Sequence, residues 1–138
     1  MHEARLETAD RIEIAELMAR YGNLIDDRQF SRIGEVFVDD VVYDVSDFGM
    51  GVIRGASAIV EAWTITKHHP LAHHVTNVEV RQDPDGTVLV CSKILGVGRK
   101  GRCGSATYRD IVVRTTGGWR IAQRLVSLRT PESVPAIT

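Results

Sequence analysis

The 138-residue chain is short of cysteine, of lysine and of long apolar runs. Only Cys91 and Cys103 are present, with neither CxxC spacing nor a metal-ligand pattern, so no metal is expected. Two reduced thiols in a cytoplasmic protein are expected, not a disulfide. No stretch approaches the ~20 apolar residues of a membrane helix. The opening "MHEARLETAD" is polar and acidic, unlike a signal peptide. Lysine is confined to Lys67, Lys93 and Lys100, the arginines are scattered, and the formal net charge is −1. Such a balance offers nucleic acid no basic field. Repeats, low-complexity tracts and linkers are missing too, so residues 1–138 are expected to form one domain.

What is present is a well-patterned chain, 43% hydrophobic. "RIEIAELMARYGNLI" repeats apolar residues at Ile14, Leu17, Met18, Tyr21 and Ile25, one stripe of an amphipathic helix capped by Thr8 or Asp10. "FSRIGEVF" suggests a second, short helix, and "SAIVEAWTITK" (57–67) a third, ended by His68-His69-Pro70. Between them, "DDVVYDVS" (39–46) reads as a strand, and "DFGMGVIRG" as a turn with a short strand. Four strands follow, at about 73–82, 87–99, 104–115 and 118–129, separated by "DPDG", "RKGRCG" and "TTGG". Helices first and an antiparallel meander last is an α+β arrangement.

The groups able to do chemistry are few. A base working near neutral pH is most simply histidine. His2 sits in a tail, and His68 and His69 read as a solvated loop. His73 and His74 begin a strand and must face opposite ways. In a regular strand His73 shares a face with Val75, Asn77 and Glu79, and His74 with Thr76, Val78 and Val80; periodicity does not choose between them. Asp26 and Asp27 end the first helix, where acids oppose the macrodipole. Tyr21 lies within the apolar stripe, Tyr43 in "VVYDV", and Tyr108 on a face with Asp110 and Val112. Arg124, alternating with Ala122 and Val126, wants a carboxylate or a polar ligand.

Taken together, "IAELMARYGNLIDDRQFSRIGEVFVDDVVYDV", "IRGASAIVEAW", "HHVTNVEV" and "YRDIVVRTTGGWRIAQRLV" resemble the SnoaL-like branch of the NTF2-like superfamily, over roughly residues 8–130. The resemblance implies a cone-shaped α+β barrel, a strongly bent antiparallel sheet with three helices enclosing a mostly apolar pocket. Dehydratases, isomerases, cyclases and non-catalytic modules share that fold, so fold alone does not fix function. In scytalone dehydratase, hexachlorocyclohexane dehydrochlorinase and the bile-acid 7α-dehydratases, an aspartate near the end of the first helix pairs with a histidine opening a later strand. Asp26 and His73 match those positions. Tyr21 matches a tyrosine five residues before the aspartate, and Arg124 an arginine near the dehydrochlorinase site.

The resemblance therefore implies a cofactor-independent lyase acting on a small, largely apolar cyclic or polycyclic molecule. His73, Asp26 and Tyr21 would be catalytic, and Tyr43, Tyr108 and Arg124 would line the ligand, with Arg124 balancing Asp26 or holding a polar substituent. An isomerase, a polyketide cyclase or a non-catalytic binding module are the alternatives. A homodimer or homotrimer is expected, with neither nucleic acid nor membrane as partner.

Overall fold

The structure, a computed structural model, describes residues 4–137, so His2 lies outside the described residues. Helix α1 (Thr8–Asp26) buries Ile14, Leu17, Met18, Tyr21 and Ile25, the stripe read from the sequence. Its cap is Glu7, one residue before Thr8. Asp10 sits a turn inside and accepts the Glu7 N–H at 2.9 Å. The same carboxylate accepts the Trp119 indole N–H at 3.2 Å and Arg114 Nη2 at 2.8 Å. Those donors hold the Asp10 carboxyl below the usual carboxylate range, the Glu7 backbone bond contributing most. The start of α1 is thereby tied to the last hairpin of the sheet.

"FSRIGE" forms a 3₁₀ helix, not an α-helix, over Phe30–Glu35. Six residues give too few i→i+4 bonds to stabilise an α-helix. Val36 follows it, and Phe37 already belongs to strand β1 (Phe37–Asp44). A 3₁₀ turn over Ser46–Phe48 and strand β2 (Val52–Arg54) complete the first hairpin. Helix α2 (Ala56–Ile65) starts after Gly55, which takes φ 92, so glycine and not Ser57 occupies the N-cap. Ile59 and Trp63 face the core, while Ile65 is 78% exposed.

Strands β3 (Ala72–Gln82), β4 (Val88–Val97), β5 (Cys103–Thr115) and β6 (Gly118–Leu128) form the expected meander. The six-stranded order is β2-β1-β6-β5-β4-β3. The sheet is mixed and not wholly antiparallel, because β1 runs parallel to β6. Apolar alternation is the same in either direction, so the sequence carries no signal of that pairing. The sheet curls without closing, and β2 and β3 remain its edges. Among the described residues no helix is long and apolar enough to cross a membrane.

Inside the curl, α1 crosses β3 closely. A Cβ on Gly22 would stand 2.7 Å from the His73 carbonyl oxygen, so only glycine permits this approach. Deeper lies a buried ion pair in register across β5 and β6: Arg124 Nε and Nη2 donate to the two oxygens of Asp110, each at 2.7 Å. Both side chains are fully buried. Burial pushes the Asp110 carboxyl up against the pull of the guanidinium, whereas the carboxylate holds Arg124 firmly charged.

Gly22→Ala should destabilise the fold by about 1–3 kcal/mol through overpacking of α1 on β3, read as a lower urea midpoint. Asp110→Asn should cost about 3–5 kcal/mol by leaving Arg124 uncompensated. The double variant Asp110→Leu/Arg124→Met should recover most of that loss, since the charge is removed with its partner.

Candidate active site

Asp26 is the last residue of α1, and β3 begins opposite it at Ala72. The His73 backbone N–H donates to both carboxylate oxygens, at 3.0 and 2.9 Å. The His73 ring meets the same group, with Nδ1 2.6 Å from Asp26 Oδ1. An ionised carboxylate can only accept, so in the neutral ring Nδ1 carries the hydrogen and Nε2 the lone pair. The side chains are 10% and 17% exposed. Two acids at the end of α1 look misplaced for the helix dipole; one of them, Asp26, is spent on the edge strand.

His74 projects from the opposite, exposed face. A β-bulge explains why the two histidines were indistinguishable by period. Thr76 pairs with Lys93 and Glu79 with Cys91, so Asn77 and Val78 together oppose one residue, and Asn77 takes φ 54. The extra residue lets His73 and Val75 share the inner side with Val78 and Val80, which pack against the core.

His73 opens into a cavity of about 440 Å³ bounded by α1, α2, the loop after α2 and the inner face of the sheet. Its floor holds three buried tyrosines. Tyr21 and Tyr43 hydroxyls lie 3.2 Å apart, and the Tyr108 hydroxyl donates to Tyr21 at 3.4 Å. Three O–H donors share two hydrogen bonds, so one proton, on Tyr21 or on Tyr43, is free for a ligand. Burial is the chief cause that raises Tyr43 and Tyr108 well above the usual phenol range, which keeps them donors. Tyr21 also stands edge-on to His73, with ring centroids 6.5 Å apart. Tyr21 and Asp26, far apart around an ideal helix, serve one site because β3 crosses the helix end at Gly22.

Arg124 lies behind this floor and outside the cavity lining. Its partner is Asp110, not Asp26. Its guanidinium stacks 4.2 Å from the Tyr21 ring and 4.0 Å from the Tyr108 ring. Nη1 has no hydrogen-bond partner, and the two aromatic faces are what it has instead. Arg124 thus braces the tyrosines from behind the cavity floor.

The sequence reading missed His69 and Trp63. His69 is not a solvated loop residue: it lines the cavity, 6.0 Å from the His73 ring and 6.3 Å from Trp63. Burial first, then the neighbouring His73 ring, lowers its affinity for a proton, so it is held toward the neutral form. The Pro70 ring that stops the loop packs against Gly96, where a Cβ would approach it to 3.2 Å. Among the described residues no cluster of three or more His, Cys, Asp or Glu is placed to hold a metal. Cys91 and Cys103 are both free.

Comparison with known proteins agrees with this architecture. A SnoaL-like domain model matches residues 6–125. An uncharacterized protein of Mycobacterium tuberculosis is 32% identical over 128 residues, covering 86% of this chain and 85% of the relative. A candidate aromatic ring hydroxylase from Novosphingobium aromaticivorans superposes with a TM-score of 0.73 at 28% identity, covering 92% of this chain and 94% of that one. A candidate scytalone dehydratase from the same organism superposes with a TM-score of 0.69 at 20% identity, over 85% and 82% of the two chains, a likeness of fold. With its matched span running from before α1 into β6, the chain belongs to the SnoaL-like domain family, within the NTF2-like superfamily.

Proposed function

We propose that the protein is a cofactor-independent lyase that eliminates a leaving group from a small, largely apolar cyclic molecule. One observation carries the reading: Asp26 fixes both the backbone and the Nδ1 of His73, leaving Nε2 as a positioned base at the cavity wall. Nε2 takes a proton from carbon, the C–H electrons form the new double bond, and the leaving group departs. Asp26 stabilises the imidazolium that results. The spare tyrosine proton on the floor meets the oxygen on which charge develops, either a carbonyl or the departing hydroxyl. A proton acceptor held at one wall and a donor held at the floor is the pair that elimination needs. The candidate scytalone dehydratase among the structural neighbours is named for such a reaction, and its fold is shared.

A screen of cyclic β-hydroxy ketones tests the proposal, with product identified by mass loss of water and by the absorbance of the conjugated enone. His73→Ala should lower turnover by roughly 10²–10⁴, and Asp26→Asn should lower it as well, through the tautomer of His73. His74→Ala should leave it within about twofold, a surface-like effect. Full activity in His73→Ala would overturn the mechanism, and a rearranged product of unchanged mass would identify an isomerase using the same base.

A further inference from the structure

The chain has 18 acidic residues, yet none of those among the described residues lines the cavity. One side chain there is permanently charged, Arg102, at the mouth. Its guanidinium has no hydrogen-bond or ion-pair partner among the described residues. The neighbouring polar side chains of the lining are already engaged: Ser105 Oγ donates to the Ile94 carbonyl at 2.9 Å and Thr66 Oγ1 to the Ala62 carbonyl at 2.6 Å. Asp47, the acid beside the mouth residue Phe48, accepts the Leu128 backbone N–H at 3.0 Å. The position of Arg102 is set by its backbone. Its carbonyl accepts the Gly98 N–H at 2.6 Å, closing the turn between β4 and β5.

Between Arg102 and His73 the floor is glycine, with the Pro70 ring packed over Gly96 and open space over Gly104. His73 pairs with Gly96, and Gly96 with Gly104, so two glycines continue the row that starts at the histidine. Both line the cavity, as does Ala106. A Cβ on Gly104 would meet nothing within 4 Å, which marks open space over that strand. Two strand spacings, about 10 Å, separate His73 from Gly104. Arg102 lies two residues beyond, on the side to which the inward residues Gly104, Ala106 and Tyr108 belong. A flat apolar body fits over Gly104 beside the Pro70 ring, with the guanidinium at its outer end.

We propose that the ligand class of this cavity is a ring compound bearing a carboxylate, held with its anionic group on Arg102 and its ring over Gly104, beside Pro70. The proposal extends the elimination reading by naming what the cavity takes, but it is tested by binding alone. An exposed arginine fork pairs with a carboxylate in bidentate fashion, and an amide or ester cannot match that contact.

The probes are 2-naphthoate and methyl 2-naphthoate, titrated calorimetrically against the full chain at neutral pH. Naphthoate should bind roughly tenfold tighter than the ester, the order of one charge-assisted hydrogen bond. Arg102→Gln should bring the two ligands to within about twofold of each other by weakening naphthoate alone. Gly104→Val, whose Cβ meets nothing within 4 Å in the fold, should weaken both. Equal affinities in the wild type, binding of neither probe, an unchanged naphthoate affinity in Arg102→Gln, or naphthoate binding indifferent to Gly104→Val would each overturn it. His73→Ala should still bind naphthoate. If carboxylate binding follows these outcomes while no cyclic substrate is eliminated, the lyase reading fails and the ligand class stands.

Discussion

The carboxylate of Asp26 does two jobs at one place, and the rest of the site depends on both. β3 is an edge strand, and its outward N–H groups need partners other than a neighbouring strand. At His73 that partner is Asp26, which binds the backbone N–H with both oxygens while holding the ring. The same contact therefore closes α1 onto the sheet, protects part of an exposed edge, and orients an imidazole. Gly22 makes it possible by letting the helix lie against the strand. A site anchored through its backbone is stiffer than one held by side chains alone, which is what a positioned base requires.

A second constraint lies one layer deeper. An ion pair with no exposure at all is a weak source of stability, because desolvation offsets most of the attraction. Its value here is geometric. Asp110 fixes the plane of the Arg124 guanidinium, and that plane sets the Tyr21 and Tyr108 rings against it. The hydroxyl cluster above inherits its arrangement from a salt bridge outside the cavity lining. Trp63 and Phe37 complete the aromatic surround of Tyr21, each with ring centroids 6.0 Å from it.

Much of this was legible in the sequence, for identifiable reasons. The α1 stripe and the four-strand meander rest on long, strongly periodic segments, where pattern and burial agree. The Asp26–His73 pairing came through resemblance; periodicity alone left His73 and His74 equivalent. Arg124 announced its need for a carboxylate, but naming Asp110 requires the β5–β6 register, which depends on a bulge between Ile111 and Val112. His69 was hidden because a histidine beside proline looks like loop, and its burial comes from packing between Trp63 and His73, which no periodic pattern signals across a loop. The parallel placement of β1 leaves no local trace at all.

The bulge at Asn77 carries a consequence of its own. A regular β3 that kept Val78 and Val80 against the core would turn His74 inward and His73 out to the surface. One surplus residue in a left-handed conformation resets the phase of the strand, so that the core segment and the dyad segment obey different countings. Which histidine can meet Asp26 is thus decided four positions downstream of His73, by the backbone of Asn77. Backbone phase at residue 77 acts as a selector between two otherwise interchangeable neighbours.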